Sequence, residues 1–120
     1  MSDRAETLAM TATGDEAIVV LSTFPSIEKA TDIARTLVGE GLAACVNLVP
    51  AVRSIYRWQG NVHDDQEVLA VLKTSRARYD ELATRLAALH PYEVPEILAF
   101  TVEEGSAAYL EWLRASTAAK

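Results

Sequence analysis

The sequence predicts an α+β domain, an antiparallel four-stranded sheet with two helices on one face and a short further helix at its C-terminal end. Three observations predict it. Short β-branched runs and stretches of helical period follow one another as strand, helix, strand, strand, helix, strand. A polar, glycine-containing break of hairpin size separates the two middle strands. The chain has 120 residues, half of them hydrophobic, which is enough for one two-layer core.

Ala17 to Thr23, AIVVLST, is the first strand, broken by Phe24-Pro25-Ser26. Ser26 can cap the helix that follows, and Glu28 lies in its first turn, where the helix dipole favours an anion. Ile27, Ala30, Ile33, Ala34, Leu37 and Val38 form the apolar stripe of that helix, which ends at Gly39 and Gly41. Ala43 to Trp58 is a long extended segment. Pro50 has no N–H to give to a ladder, so a bulge, bend or free edge is expected there. Gln59 to Asp65 reads as the hairpin loop, and Glu67 to Thr74 as the third strand. Ser75 is the expected cap of a second helix with the stripe Tyr79, Leu82, Ala83, Leu86 and Leu89. That helix should stop at His90, because the residue before Pro91 is pushed out of the α region. Ile97 to Val102 completes the sheet, and Ala107 to Leu113 reads as the terminal helix. Residues 1–15 read as a mobile tail, leaving residues 16–120 as a single domain. The order is that of the split βαβ, or ferredoxin-like, arrangement βαββαβ. An architecture of this kind does not specify a function.

Composition narrows the partners. A net charge of −6 and a pI near 4.8 oppose the broad phosphate-backbone binding that nucleic acid requires. No apolar run is long enough for a bilayer, and the first fifteen residues lack the apolar centre of a secretory signal. Cys45 is the single cysteine and has no internal partner, which fits a reducing cytoplasm. The expectation is a cytoplasmic protein that needs neither nucleic acid nor membrane.

IVVL (Ile18 to Leu21), VLAVL (Val68 to Leu72) and ILAF (Ile97 to Phe100) are apolar on both faces. A two-layer fold covers one sheet face with helices and should leave the other polar. At about 25 cal/mol per Å² of apolar area, a wetted second face forfeits several kcal/mol. Another copy of the same chain is the expected cover, giving a closed homo-oligomer. The terminal helix, with Tyr109, Leu110, Trp112 and Leu113, is too short to cover four strands.

The most chemically capable stretch is HPYEVPEI, His90 to Ile97. Pro91 and Pro95 stiffen it, and an extended reading puts Tyr92, Val94 and Glu96 on one side, Glu93 and Pro95 on the other. His90 closes a helix, where the dipole favours the imidazolium. Two readings stand: a preorganised ligand or metal site, and a rigid connector bonded to a neighbouring subunit. Cys45 reads as a small buried hydrophobe, or as a soft metal ligand or nucleophile. His63, with Asp64 and Asp65, reads as a solvated loop with adventitious metal affinity. Tyr56 and Trp58 share one side of the long hairpin, with Arg57 opposite, in the manner of a partner-binding element. Lys73, Arg76 and Arg78 form a small basic patch, either an anion site or a solvated helix start. The chain has no phosphate-binding glycine loop, zinc-type cysteine pair or nucleophile elbow.

AACVN (Ala43 to Asn47), SIYRWQG (Ser54 to Gly60), LKT (Leu72 to Thr74), HPYEVPEI and YLEWL (Tyr109 to Leu113) occur in that order. Together they resemble the CutA family of divalent-cation-tolerance proteins, over Ala17 to Leu113. The resemblance implies a ferredoxin-like protomer in a tight homotrimer, similar in architecture to the nitrogen-regulatory signal-transduction trimers. It implies a role in tolerance of copper and other divalent cations, copper binding in some members, no required cofactor and no established enzymatic activity. By motif match it carries over Cys45, Tyr56, Trp58, Lys73, Tyr92 and Glu96 as ligand-binding residues and His90 as the metal ligand, gathered near clefts between subunits. Two departures weaken a soft copper site: Ser22 stands where some members have cysteine, and Leu89 where some have a second histidine. The chain also reads ILAFTV where a proline after the apolar run is common.

The leading expectation is thus a homotrimer whose clefts, lined by His90, Tyr92, Glu96 and Lys73, bind a divalent cation or a small anionic ligand. A non-catalytic signalling or scaffold trimer acting through the Tyr56–Trp58 hairpin is the alternative. A hydrolase with Cys45 as nucleophile and His90 as base is the third reading, and it requires the two within hydrogen-bond reach.

Overall fold

The computed structural model describes residues 16–118; the tail assigned to residues 1–15 lies outside the described residues. The elements are β1 (Ala17–Phe24), α1 (Ile27–Gly39), β2 (Cys45–Trp58), β3 (Asn61–Ser75), α2 (Arg76–Leu89), β4 (Leu98–Thr101) and α3 (Ala107–Ser116). The sheet is antiparallel with the order β2-β3-β1-β4. Its two central strands are buried on the helical side. Ile18, Val20 and Phe24 of β1 stand beside Thr74, Leu72 and Val68 of β3, closed over by Ala30, Ile33 and Leu37 of α1 and Leu82 and Leu86 of α2. The expected α+β order is therefore present, with the terminal helix extended to Ser116.

The opposite face is apolar and largely open. The register aligns Val19 with Phe100, Leu21 with Leu98, and Val49 with Leu69. Leu98 and Phe100 are 51% and 53% exposed. α3 covers one end only, where Leu113 packs on Ala17 and Ala44. Thr117 donates to the Ser75 hydroxyl at 3.1 Å, and Arg78 donates to the Thr117 carbonyl at 2.9 Å. Ser75 is the cap of α2 by backbone position, but its side chain makes no capping bond and serves α3 instead. Ser26 does cap α1, accepting from the Lys29 N–H at 3.2 Å.

β2 and β3 form a hairpin that runs past the sheet and stretches the molecule to 51 × 30 × 23 Å. The expected loop from Gln59 to Asp65 is corrected to a two-residue turn. Gln59 (φ 50°) and Gly60 (φ 81°) make the tight reversal, and Asn61 is already paired with Trp58. The polar residues that suggested a loop are strand residues because this ribbon has no core to face. The irregularity expected at Pro50 is a bulge. Register passes from Val49↔Leu69 to Val52↔Glu67, and Ala51 takes φ 61°.

Candidate functional site

The bulge decides which hairpin side chains meet the sheet. Three β2 residues advance against two of β3, so side-chain alternation slips by one position. Before it, Cys45, Asn47 and Val49 oppose Lys73, Val71 and Leu69; after it, Ser54 and Tyr56 oppose Asp65 and His63. Tyr56 and Trp58 are thereby brought to the face shared by Glu67 and the open side of the sheet. Tyr56 stacks on His63 at 5.2 Å and donates its phenol hydrogen to Asp65 at 2.6 Å. That bond, then burial and neighbouring carboxylate charge, push its phenol pKa up.

The segment after α2 forms the other wall. His90 is buried, its ring stacked on Phe24 at 4.6 Å. Its Nε2 lies 2.8 Å from the Thr23 carbonyl and its Nδ1 accepts the Tyr92 N–H at 3.1 Å. This pattern assigns the neutral ring with the hydrogen on Nε2. Burial pushes the His90 pKa down against the Thr23 bond, so the imidazolium expected from the helix dipole is corrected to the neutral form. The chain bends through Pro91–Val94 rather than running extended. Glu93 therefore joins Tyr92, Val94 and Glu96 at the cleft, where strict alternation would have turned it away.

Tyr92 crosses below the end of β1 and donates to Glu67 at 2.6 Å. Burial first, then the Glu67 bond and carboxylate charge, raise its phenol pKa well above the ordinary value. The cleft between hairpin and bent segment has a volume of about 670 Å³. Aromatic Tyr56, Trp58 and Tyr92 and acidic Glu67, Glu93 and Glu96 give it its character.

Four of the seven residues singled out in the sequence line this cleft: Tyr56, Trp58, Tyr92 and Glu96. His90 stands behind it as the group that orients Tyr92. Cys45 and Lys73 lie elsewhere. They oppose each other near the far end of β3, six residues beyond Glu67, about 20 Å along a strand. Lys73 Nζ sits 5.7 Å from the centre of the Tyr109 ring on α3. Arg76 pairs with Glu16 and Arg78 with Glu81, so the basic side chains are separately engaged rather than gathered on an anion. The Cys45–His90 pair required by the hydrolase reading is not assembled within the chain. Glu67 is the residue the sequence reading passed over. Its signal was a lone carboxylate in phase with Leu69 and Val71 at the mouth of an apolar strand.

The donors do not fit a chelated metal within one chain. Among the described residues no group of three or more His, Cys, Asp or Glu side chains is placed to hold an ion. Both His90 nitrogens are engaged, so ligation there requires giving up a hydrogen bond. His63 and Asp65 share one side of the hairpin while Asp64, opposite, is held by Arg53 at 2.6 Å.

The family model described as CutA1 divalent ion tolerance protein matches residues 18–116. The chain belongs to this family. A divalent-cation tolerance protein CutA of Thermus thermophilus is 56% identical over 99 residues, 82% of this chain and 96% of that protein. The chloroplastic protein CutA 1 of Oryza sativa subsp. japonica is 40% identical over 97% of this chain, which spans only 66% of that relative's length. A solved structure of the Thermus thermophilus divalent cation tolerance protein superposes with a TM-score of 0.81 at 54% identity, covering 84% of this chain and 98% of that one. The rice relative's plastid location means that membership in the CutA1 family does not by itself fix a compartment. Among the described residues, no helix is long and apolar enough to cross a membrane.

Proposed function

We propose that this CutA1-family protein is a cytoplasmic, non-catalytic homotrimer whose clefts bind a small ligand as part of a response to divalent cations, copper among them. The observation that carries the reading is the cleft itself. A phenol–carboxylate bond at 2.6 Å ties its two walls together, and aromatic and acidic groups converge on one space. The trimer is supported by the uncovered sheet face, since Leu98 and Phe100 are large apolar side chains left half in solvent. Closed symmetry is the usual way a soluble chain hides such a face. Ile55 and Val62, 65% and 66% exposed on the hairpin, favour a signalling or scaffold trimer as the second reading.

Light scattering on the purified protein tests the assembly. The expected mass is three times the chain's 13.0 kDa, falling to a single chain in Phe100→Asp. A stable lone protomer at micromolar concentration overturns the trimer. Trp58→Ala separates the two functional readings. Loss of ligand with partners retained supports the cleft, and loss of a captured partner with ligand retained supports the scaffold.

A further inference from the structure

Resting on the reading of the cleft as a ligand site, we infer that its ligand is an organic ammonium ion, a cationic nitrogen carried on an apolar body. Among the described residues, those lining the cleft carry three carboxylates, Glu67, Glu93 and Glu96, and no lysine, arginine or histidine. Of the basic groups nearby in sequence, Arg53 is paired with Asp64, Lys73 lies over the Tyr109 ring, and Arg57 alternates to the side of the ribbon opposite Tyr56 and Trp58. An anion would meet an acidic wall with no counter-charge. This replaces the anionic ligand that Lys73 had suggested.

The walls also discriminate between kinds of cation. A bare divalent ion needs several oxygen ligands converging within about 2–2.6 Å, and no such group occurs among the described residues. Its hydration shell would have little to gain from Trp58 and the two tyrosines. A space of about 670 Å³ is the size of a small organic ligand's site, far beyond that of an ion. Aromatic faces attract an alkylated ammonium through the ring quadrupole and accept its carbon atoms by ordinary apolar contact. Glu67 supplies the fixed charge. Tyr92 donates to its Oε2 and holds the carboxylate in one orientation at the cleft wall.

Fluorescence titration of the full chain carrying Trp112→Phe makes Trp58 the sole tryptophan reporter. The probes are choline, its uncharged isostere 3,3-dimethylbutanol, acetate and zinc chloride, at constant ionic strength. Choline should give a saturable change, with the isostere about tenfold weaker or more. Glu67→Gln keeps an acceptor for Tyr92 but removes the charge. It should weaken choline by about tenfold, leaving the isostere and the circular dichroism unchanged. Equal binding of choline and isostere, or saturation by acetate, overturns the ammonium ligand while leaving the cleft as a binding site. Saturation by zinc with none by choline does the same in favour of a metal. If no probe perturbs Trp58, the cleft reading and this inference both fail.

Discussion

Tyr92 donates to Glu67 across 2.6 Å and thereby fastens the bent segment after α2 to β3, just beyond the end of β1. The acceptor is a carboxylate and the phenol is partly buried, so the bond is of the stronger, charge-assisted kind. Tyr56 makes a bond of the same length to Asp65, but on the exposed ribbon. The two phenols separate bond length from bond environment.

Tyr92→Phe should cost about 1–2 kcal/mol in urea unfolding. Tyr56→Phe should leave the urea midpoint close to that of the native sequence, as changes on an exposed surface do. Equal losses in the two variants would show that the Tyr92–Glu67 bond does not organise the cleft.

Acid should loosen the same segment through His90. Burial holds the folded-state pKa of His90 below its ordinary value of 6.5, with Lys29 reinforcing the shift and the Thr23 bond and Glu67 opposing it. Between those two pKa values the unfolded chain binds the extra proton, so stability falls as pH falls. The contribution is complete above about pH 6.5 and is lost progressively on acidification through the folded-state pKa. A proton added at Nδ1 also confronts the Tyr92 N–H with a second donor. The urea midpoint should therefore decline from pH 7 to pH 5 more steeply in the native sequence than in His90→Gln. Parallel declines would remove His90 as the sensitive group.

The element order was legible because apolar period and capping residues are local signals. Ser26 before Ile27 and Pro91 after His90 marked helix ends that the fold adopts. The hairpin was misjudged where polar composition stood in for conformation, since Asn61 to Asp65 pair as strand on a ribbon with solvent on both sides. The site was legible in its residue types and less so in its membership. Cys45 and Lys73 share a motif neighbourhood with the cleft residues but lie a strand's length away. Glu67 joins only because the chain bends at Pro91–Val94 and brings Tyr92 across, a tertiary event with no sequence period.

Ser22 presents a different kind of exception. It is fully buried opposite Ala70 in the core, and its hydroxyl has no hydrogen-bond partner among the described residues. A desolvated hydroxyl without a partner carries a cost, whereas the alanine that replaces it vacates only one oxygen's volume. Ser22→Ala should raise unfolding stability by up to about 1 kcal/mol, read from the urea midpoint at unchanged slope. A loss of more than about 1 kcal/mol would mean that the hydroxyl is bonded in the native state.

Ala51 links backbone strain to the site most directly. At φ 61° it occupies the left-handed region that a β-carbon disfavours, and it is the extra residue of the bulge. Ala51→Gly should therefore stabilise the protein by about 0.5–1 kcal/mol, the steric relief exceeding the added freedom of the unfolded chain. Deleting Ala51 tests the geometric role instead. Without the extra residue, continuous pairing from Val49 places Val52 opposite Glu67 and Tyr56 opposite His63, as the bulge does in the native chain, so Tyr56 and Trp58 keep the cleft side of the ribbon. With Trp112→Phe as background, the deletion variant should keep both its far-ultraviolet spectrum and any ligand-dependent change at Trp58. Loss of that response would mean that the local bend at Pro50 and Ala51, and not the phase of β2 alone, positions Trp58 at the cleft.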